Sequence, residues 1–301
     1  MYRRIARILA ATTTGATIAA LGFTGVSPAS GAASPAQAGT ILTAITAAHH
    51  PGFDRLVFRF RGPLPRQRSA RYVSKIIAPS GRPVHIAGSA LLQVRFFPAA
   101  GHNDAGSVTF GPIRRAFALP NLMQVVAAED FEAVLVFGAG LARHEPFHLF
   151  TLRDPNRVVI DIQTPFRTVR VGDWFLNTRR FRTGIPPDTQ RVSRPVIPPS
   201  VAFGALQRLF AGPTRAERAQ SLRFVASGAT GFRNLSIADG VARVQLTGGC
   251  RSGGSTFTVA NEIGPTLKQV PSVHWVKIYG PFGHTERPSG HSDSIPVCLE
   301  P

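Results

Sequence analysis

The chain has 301 residues, 44% of them hydrophobic, which is enough to bury one large core or two ordinary ones and argues against a disordered polypeptide. It carries 34 Lys+Arg against 16 Asp+Glu, a formal net charge of +18, and most of the cations are arginine. Such a surface attracts polyanions (nucleic acid, anionic lipid, the phosphates and carboxylates of a cell wall), while 25 Pro and 29 Gly favour short strands and many turns over long helices.

Residues 1–38 read as an export signal. Arg3, Arg4 and Arg7 form a basic start, Ile8 to Val26 is uncharged, and Ala36-Gln-Ala38 offers a small-x-small cleavage site. Thr12 to Gly15 and Ser27-Pro28 interrupt the apolar run, which favours cleavage over a retained membrane anchor. Cleavage would remove three arginines and no acid, leaving a formal charge of about +15 and no stable membrane insertion. Export sets nucleic acid aside as a partner and leaves wall polymers.

A short Ala/Thr/Ile segment then leads into a strand, where Leu56, Phe58 and Phe60 alternate with Val57, Arg59 and Arg61. Further strands are predicted at Tyr72 to Ala78, Pro83 to Ala87, Leu91 to Phe97, Met123 to Ala127, Ala133 to Gly138, Phe147 to Leu152 and Arg157 to Ile162. Turn residues separate most of them, the pattern of a β-sandwich over about residues 45–165. Arg55, Arg59 and Arg61 project to one side of the first strand, and Arg66, Arg68 and Arg71 continue the charge through the following loop. Guanidinium forks match carboxylates and phosphates, so Arg55, Arg59 and Arg61 are the candidate ligand-binding residues, with a merely solvated face as the bland alternative.

Residues 166–301 alternate strand and helix patterns, so the whole chain is expected to be α+β. Strands are predicted at Thr168 to Asn177 and Arg191 to Val196, followed by a helix capped by Ser200 with Ala202, Leu206, Leu209 and Phe210 as its apolar stripe, stopped at Gly212-Pro213. Thr214-Arg-Ala-Glu217 is a capping box that should start a second short helix, and Leu235 to Leu246 reads as a hairpin turning at Asp239-Gly240. A last helix should carry Val259, Ile263, Leu267 and Val270, kinked or split by Pro265, before a strand from Val273 to Tyr279. Cys250 and Cys298 are the sole cysteines, and in an oxidising compartment they are most simply one disulfide tying the tail to the loop Gly248 to Gly254. That loop, just before a helix, could instead cradle an anion, with Ser255 as helix cap in the plainer reading.

Catalytic signatures are sparse. His144-Glu-Pro-Phe-His148 has the letters of a zinc-binding H-E-x-x-H motif, but Pro146 opposes a helix there, and on a strand the two histidines would be ~13 Å apart. No G-x-S-x-G elbow, P-loop or dinucleotide fingerprint occurs, so no cofactor is implied.

Two resemblances add to these readings. Phe53-Asp-Arg-Leu-Val-Phe58 and Arg153-Asp-Pro-Asn-Arg-Val-Val-Ile-Asp-Ile162 resemble the two ends of an AMIN-like domain. Phe203 to Arg218, with its Ala-Gly-Pro-Thr stop, the hairpin Asp239 to Leu246 and the helix-to-strand step Thr266 to Val276 resemble, in that order, the GerMN domain of bacterial envelope and sporulation proteins. The first resemblance implies a small β-sandwich that binds peptidoglycan or localises envelope proteins, and the second implies a compact α/β module without catalytic residues. Together they imply a secreted, non-enzymatic envelope protein that engages wall polymer through its first domain and protein partners through its second. A metal-dependent hydrolase using His144 and His148, and a purely structural envelope oligomer, are the competing expectations.

Overall fold

The computed structural model describes residues 39–301, and the expected export signal lies outside them. Residues 39–301 form one compact unit with an α+β architecture built around two main cores. Among the described residues no helix is long and apolar enough to cross a membrane.

The first lobe contains β1 (Ile41–His50), β2 (Phe53–Arg61), β3 (Gln67–Val73), β4 (Ala90–Phe97), β5 (Arg114–Ala116), β6 (Leu122–Phe131), β7 (Val134–Leu141), β8 (Phe147–Leu152) and β9 (Arg157–Gln163). They form two antiparallel sheets, ordered β1-β2-β9-β8 and β3-β4-β7-β6-β5. Alternation sends Leu56, Phe58 and Phe60 inward, where Phe58 meets Phe96 and Phe137 of the other sheet at ring-centroid distances of 5.0 and 5.2 Å.

Three departures from the expected strands have local causes. β1 had no strand signal, because Ile41 to His50 is alanine-rich and its alternation is broken by a register shift between Leu42 and Ala44. β3 runs from Gln67 to Val73 instead of from Tyr72 to Ala78; it is a polar edge strand, whose apolar signal is weak by nature. Pro83 to Ala87 makes only an isolated bridge from Ile77 to Pro83 rather than a strand. That segment instead crosses the outer face of β7, where a Cβ on Gly138 would collide with Ile86 and Ile76, and one on Gly140 with Ala87 and Ile86.

The second lobe contains β10 (Val169–Asn177), α1 (Thr178–Thr183), β11 (Thr189–Val196), α2 (Val201–Ala211), α3 (Arg215–Ala219), β12 (Leu222–Arg223), β13 (Ala229–Ala238), β14 (Val241–Gly248), α4 (Ala260–Lys268) and β15 (Trp275–Tyr279). One sheet is ordered β11-β10-β12; the other is β13-β14-β15, with β14 and β15 parallel. The α2 and α4 residues Leu206, Leu209, Ile263 and Leu267 join Phe175, Val244 and Ile278 in its core. The hairpin turns on Asp239 and Gly240, at φ 51° and 75°, as a two-residue connection requires.

Thr214 and Glu217 make both halves of the capping box of α3. Ser200 does occupy the cap of α2 but makes no side-chain capping bond, since its φ of −78° and ψ of 54° lie outside the extended geometry that aims the hydroxyl at the first turn. Pro265 does not split α4, because a proline at its sixth position forfeits only the bond to the carbonyl of Asn261. Ser255 does not cap that helix; its hydroxyl bonds to Phe257, and Asn261 Oδ1 instead accepts from the N–H of Thr258.

The lobes meet along α2. Gln124 donates to the carbonyl of Ala211 at 2.9 Å, Arg208 Nη2 to that of Pro120 at 2.8 Å, and Gln207 to Ser89 Oγ at 2.9 Å. A cavity of about 360 Å³ remains beside this seam, lined by Ser89, Arg143, His144, Phe203, Gln207 and Arg208.

Candidate functional site

Strand alternation places Arg55, Arg59 and Arg61 on the outer face of β2, opposite the buried Leu56, Phe58 and Phe60. Their surroundings differ. Arg55 stands across from Asp161 of β9 and donates Nε and Nη2 to its two oxygens, both at 2.7 Å. The same guanidinium lies over the rings of Phe53 and Phe150, 5.1 and 5.5 Å from their centroids. The Asp161 hydrogen bonds hold Arg55 above the usual guanidinium range, so its charge is already matched. Arg59 and Arg61 are exposed and have no carboxylate partner among the described residues. Arg59 faces Arg157 across the β2–β9 ladder, so two like charges sit side by side. An arriving carboxylate or phosphate would relieve that repulsion.

Arg157 lay outside the sequence-derived candidates because the ladder, not sequence spacing, brings it to Arg59. A second arginine group forms at the open side of the sandwich, where Arg66, just before β3, and Arg68, within it, meet Arg95 of β4 in a cleft of about 530 Å³. Arg71 lies further along β3 and donates to Gln93 at 3.2 Å.

The two histidines of the H-E-x-x-H letters sit on different aromatic rings. His144 lies in the connection before β8 and stacks on Tyr72, with centroids 3.7 Å apart, whereas His148 lies in β8 and stacks on Phe150 at 5.2 Å. Tyr72 also clamps this connection, donating to the carbonyl of Glu145 and accepting from its N–H.

Beneath the second lobe's surface lies a charged cluster with a structural character. Arg194, 2% exposed, pairs with Glu217 and lies 3.9 Å from Asp173. Burial pushes the Asp173 carboxyl up to about 8, against the pull of Arg194 and Arg208. Burial likewise pulls Arg208 down to about 9, which leaves it cationic at neutral pH. Glu262 is pushed up to about 8 by burial, although it accepts hydrogen bonds from the N–H groups of Leu176 and Val225.

Cys250 and Cys298 form the expected disulfide, with their Cα atoms 5.6 Å apart. It ties the tail to the loop after β14, and Gly249 and Arg251 donate back to the carbonyls of Gly228 and Ser227. These bonds satisfy two loop N–H groups that an anion cradle would need.

Fold and site together define a β-sandwich module with a basic outer surface, fused to a disulfide-pinned α+β lobe. Residues 40–164 match the AMIN-like domain family, so the first lobe is an AMIN-like domain. No curated protein and no solved structure matches the chain.

Proposed function

We propose that this is a secreted, non-enzymatic cell-envelope protein whose AMIN-like domain binds an anionic wall polymer, peptidoglycan above all, while the second lobe serves as a GerMN-like module for protein contacts. The observation that carries the reading is the AMIN-like match over the lobe that also presents Arg59, Arg61 and Arg157 without carboxylate partners. Residues 166–301 support the second half through the order of their helices, hairpin and final strand, which is the order of the resemblance, and a role in sporulation belongs to the same proposal. The export-signal pattern read in the sequence of residues 1–38 supports a location outside the cytoplasm, extracellular or held at the wall.

Sedimentation of purified protein with isolated sacculi tests this. Binding should weaken as salt rises, since exposed charges are screened over ~10 Å at 0.1 M. A folded triple variant, Arg55→Gln with Arg59→Gln and Arg61→Gln, should bind less and lose part of the salt dependence. Wild-type protein that stays in the supernatant at low salt would remove the wall reading.

A further inference from the structure

We propose that the cleft between edge strands β3 and β8 is a binding site for an extended acidic peptide. The proposal rests on the wall-binding reading and moves its centre from the face of β2 to the open side of the sandwich. Among the described residues β3 pairs only with β4, and β8 only with β9, so the cleft lies between two strands that each keep one side of their backbone free of a described strand. Arg66, Arg68 and Arg95 line it from one side, and Leu149, Phe150 and Thr151 from the other. All three arginines are exposed, no acid lines the cleft, and none of the three faces a carboxylate among the described residues. Arg68 is steadied by donating to the carbonyl of Pro65 at 2.8 Å, which leaves its second terminal nitrogen for a ligand.

Charge selects the occupant. Three cations at a strand edge repel a second copy of this chain, whose formal charge is +18, and attract a strand carrying carboxylates. The free edges favour a peptide over a phosphate polymer, because a peptide backbone can continue the β ladder and a polyol phosphate cannot. Phe150 and Leu149 give the peptide's non-ionic side chains an apolar wall.

Fluorescence anisotropy of purified protein tests the site with three probes: a labelled peptide of alternating Glu and Thr, its Gln counterpart, and inorganic polyphosphate. The acidic peptide should bind and the Gln peptide should not. The triple variant Arg66→Gln, Arg68→Gln and Arg95→Gln should weaken binding by about tenfold or more, because each lost pairing is a charge-assisted hydrogen bond. The double variant Arg59→Gln and Arg61→Gln should change it by less than about threefold, since those two arginines lie outside the cleft. Circular dichroism checks that each variant is folded, and Arg95→Glu alone provides a second, milder perturbation that must also weaken binding. Unchanged affinity in a folded cleft variant, tighter binding of polyphosphate than of peptide, or no peptide binding by the wild type would each overturn the proposal. Sacculi separate the two readings. If wild type and cleft variant sediment equally well, the cleft is wrong and wall binding stands; if wild type ignores sacculi, the wall reading fails and the proposal built on it fails with it.

Discussion

Arg194 grips Glu217 with both terminal nitrogens, at 2.7 and 2.6 Å, while Glu217 also closes the N-terminus of α3. One carboxylate therefore joins β11 to the short helix behind α2 and satisfies a guanidinium that is almost wholly buried. Glu217→Ala should destabilise the protein by roughly 3 kcal/mol, because it strands a buried cation and removes half of a cap. Thr214→Ala, which removes only the other half of the cap, should cost about 1 kcal/mol. Urea unfolding of the two variants checks the difference, and equal midpoints would show that the ion pair contributes nothing beyond the cap.

Stability should fall as pH rises from about 4 to about 8. Asp173 and Glu262 are both pushed up to about 8 in the fold, so the native state binds more protons than the unfolded chain across that window. The groups facing Asp173 are Arg194, Arg208 and Glu217; burial pushes Glu217 up, but Arg194 and Thr214 together hold it below its usual range, so it opposes this trend only at the acid end. The slope is bounded by about 1.4 kcal/mol per pH unit for each group. Urea midpoints at pH 5 to 9 should decline for the wild type and flatten in part for Asp173→Asn and for Glu262→Gln. A wild-type midpoint that rises through this range would show both carboxyls ionised in the fold.

Reducing the Cys250–Cys298 bond should lower stability by about 4 kcal/mol in the chain-entropy treatment of a loop this long. The cysteines are 48 positions apart, and the loop they close includes α4 and β15. Thermal unfolding with and without reductant measures the loss. Hydrogen exchange should show it concentrated in the C-terminal segment, with the first lobe unaffected, because the bond touches only the second core.

Gly140→Val should destabilise by about 1–3 kcal/mol through overpacking. Its side chain would enter the space taken by Ala87 and Ile86 on the outer face of β7. Limited proteolysis should then cleave the segment from residue 76 to 89 sooner, while the same substitution at Gly39, which has open space around it and no left-handed backbone, should leave the pattern unchanged.

Alternation and capping were legible in the chain because they are local. The apolar stripe of β2, the capping box at Thr214 and Glu217 and the turn at Asp239-Gly240 depend on residues at most a few positions apart, where backbone geometry and side-chain chemistry decide the outcome. The disulfide was legible for another reason, since two cysteines allow one pairing. Gln207 and Arg208, by contrast, lie outside the apolar stripe of their helix, yet both are buried because their partners Ser89 and Pro120 lie 118 and 88 positions away. The fate of the basic face was equally hidden. Sequence set Arg55, Arg59 and Arg61 on one side of a strand, but only the pairing of β2 with β9 gave Arg55 to Asp161 and set Arg59 against Arg157. Sheet order likewise brought Arg95 to Arg66 and Arg68. The sequence by itself thus determined which residues turn inward and where the chain reverses, because those follow from local periodicity. Only the tertiary structure decided which charges are neutralised and which are left free, because that depends on ladder register across distant segments.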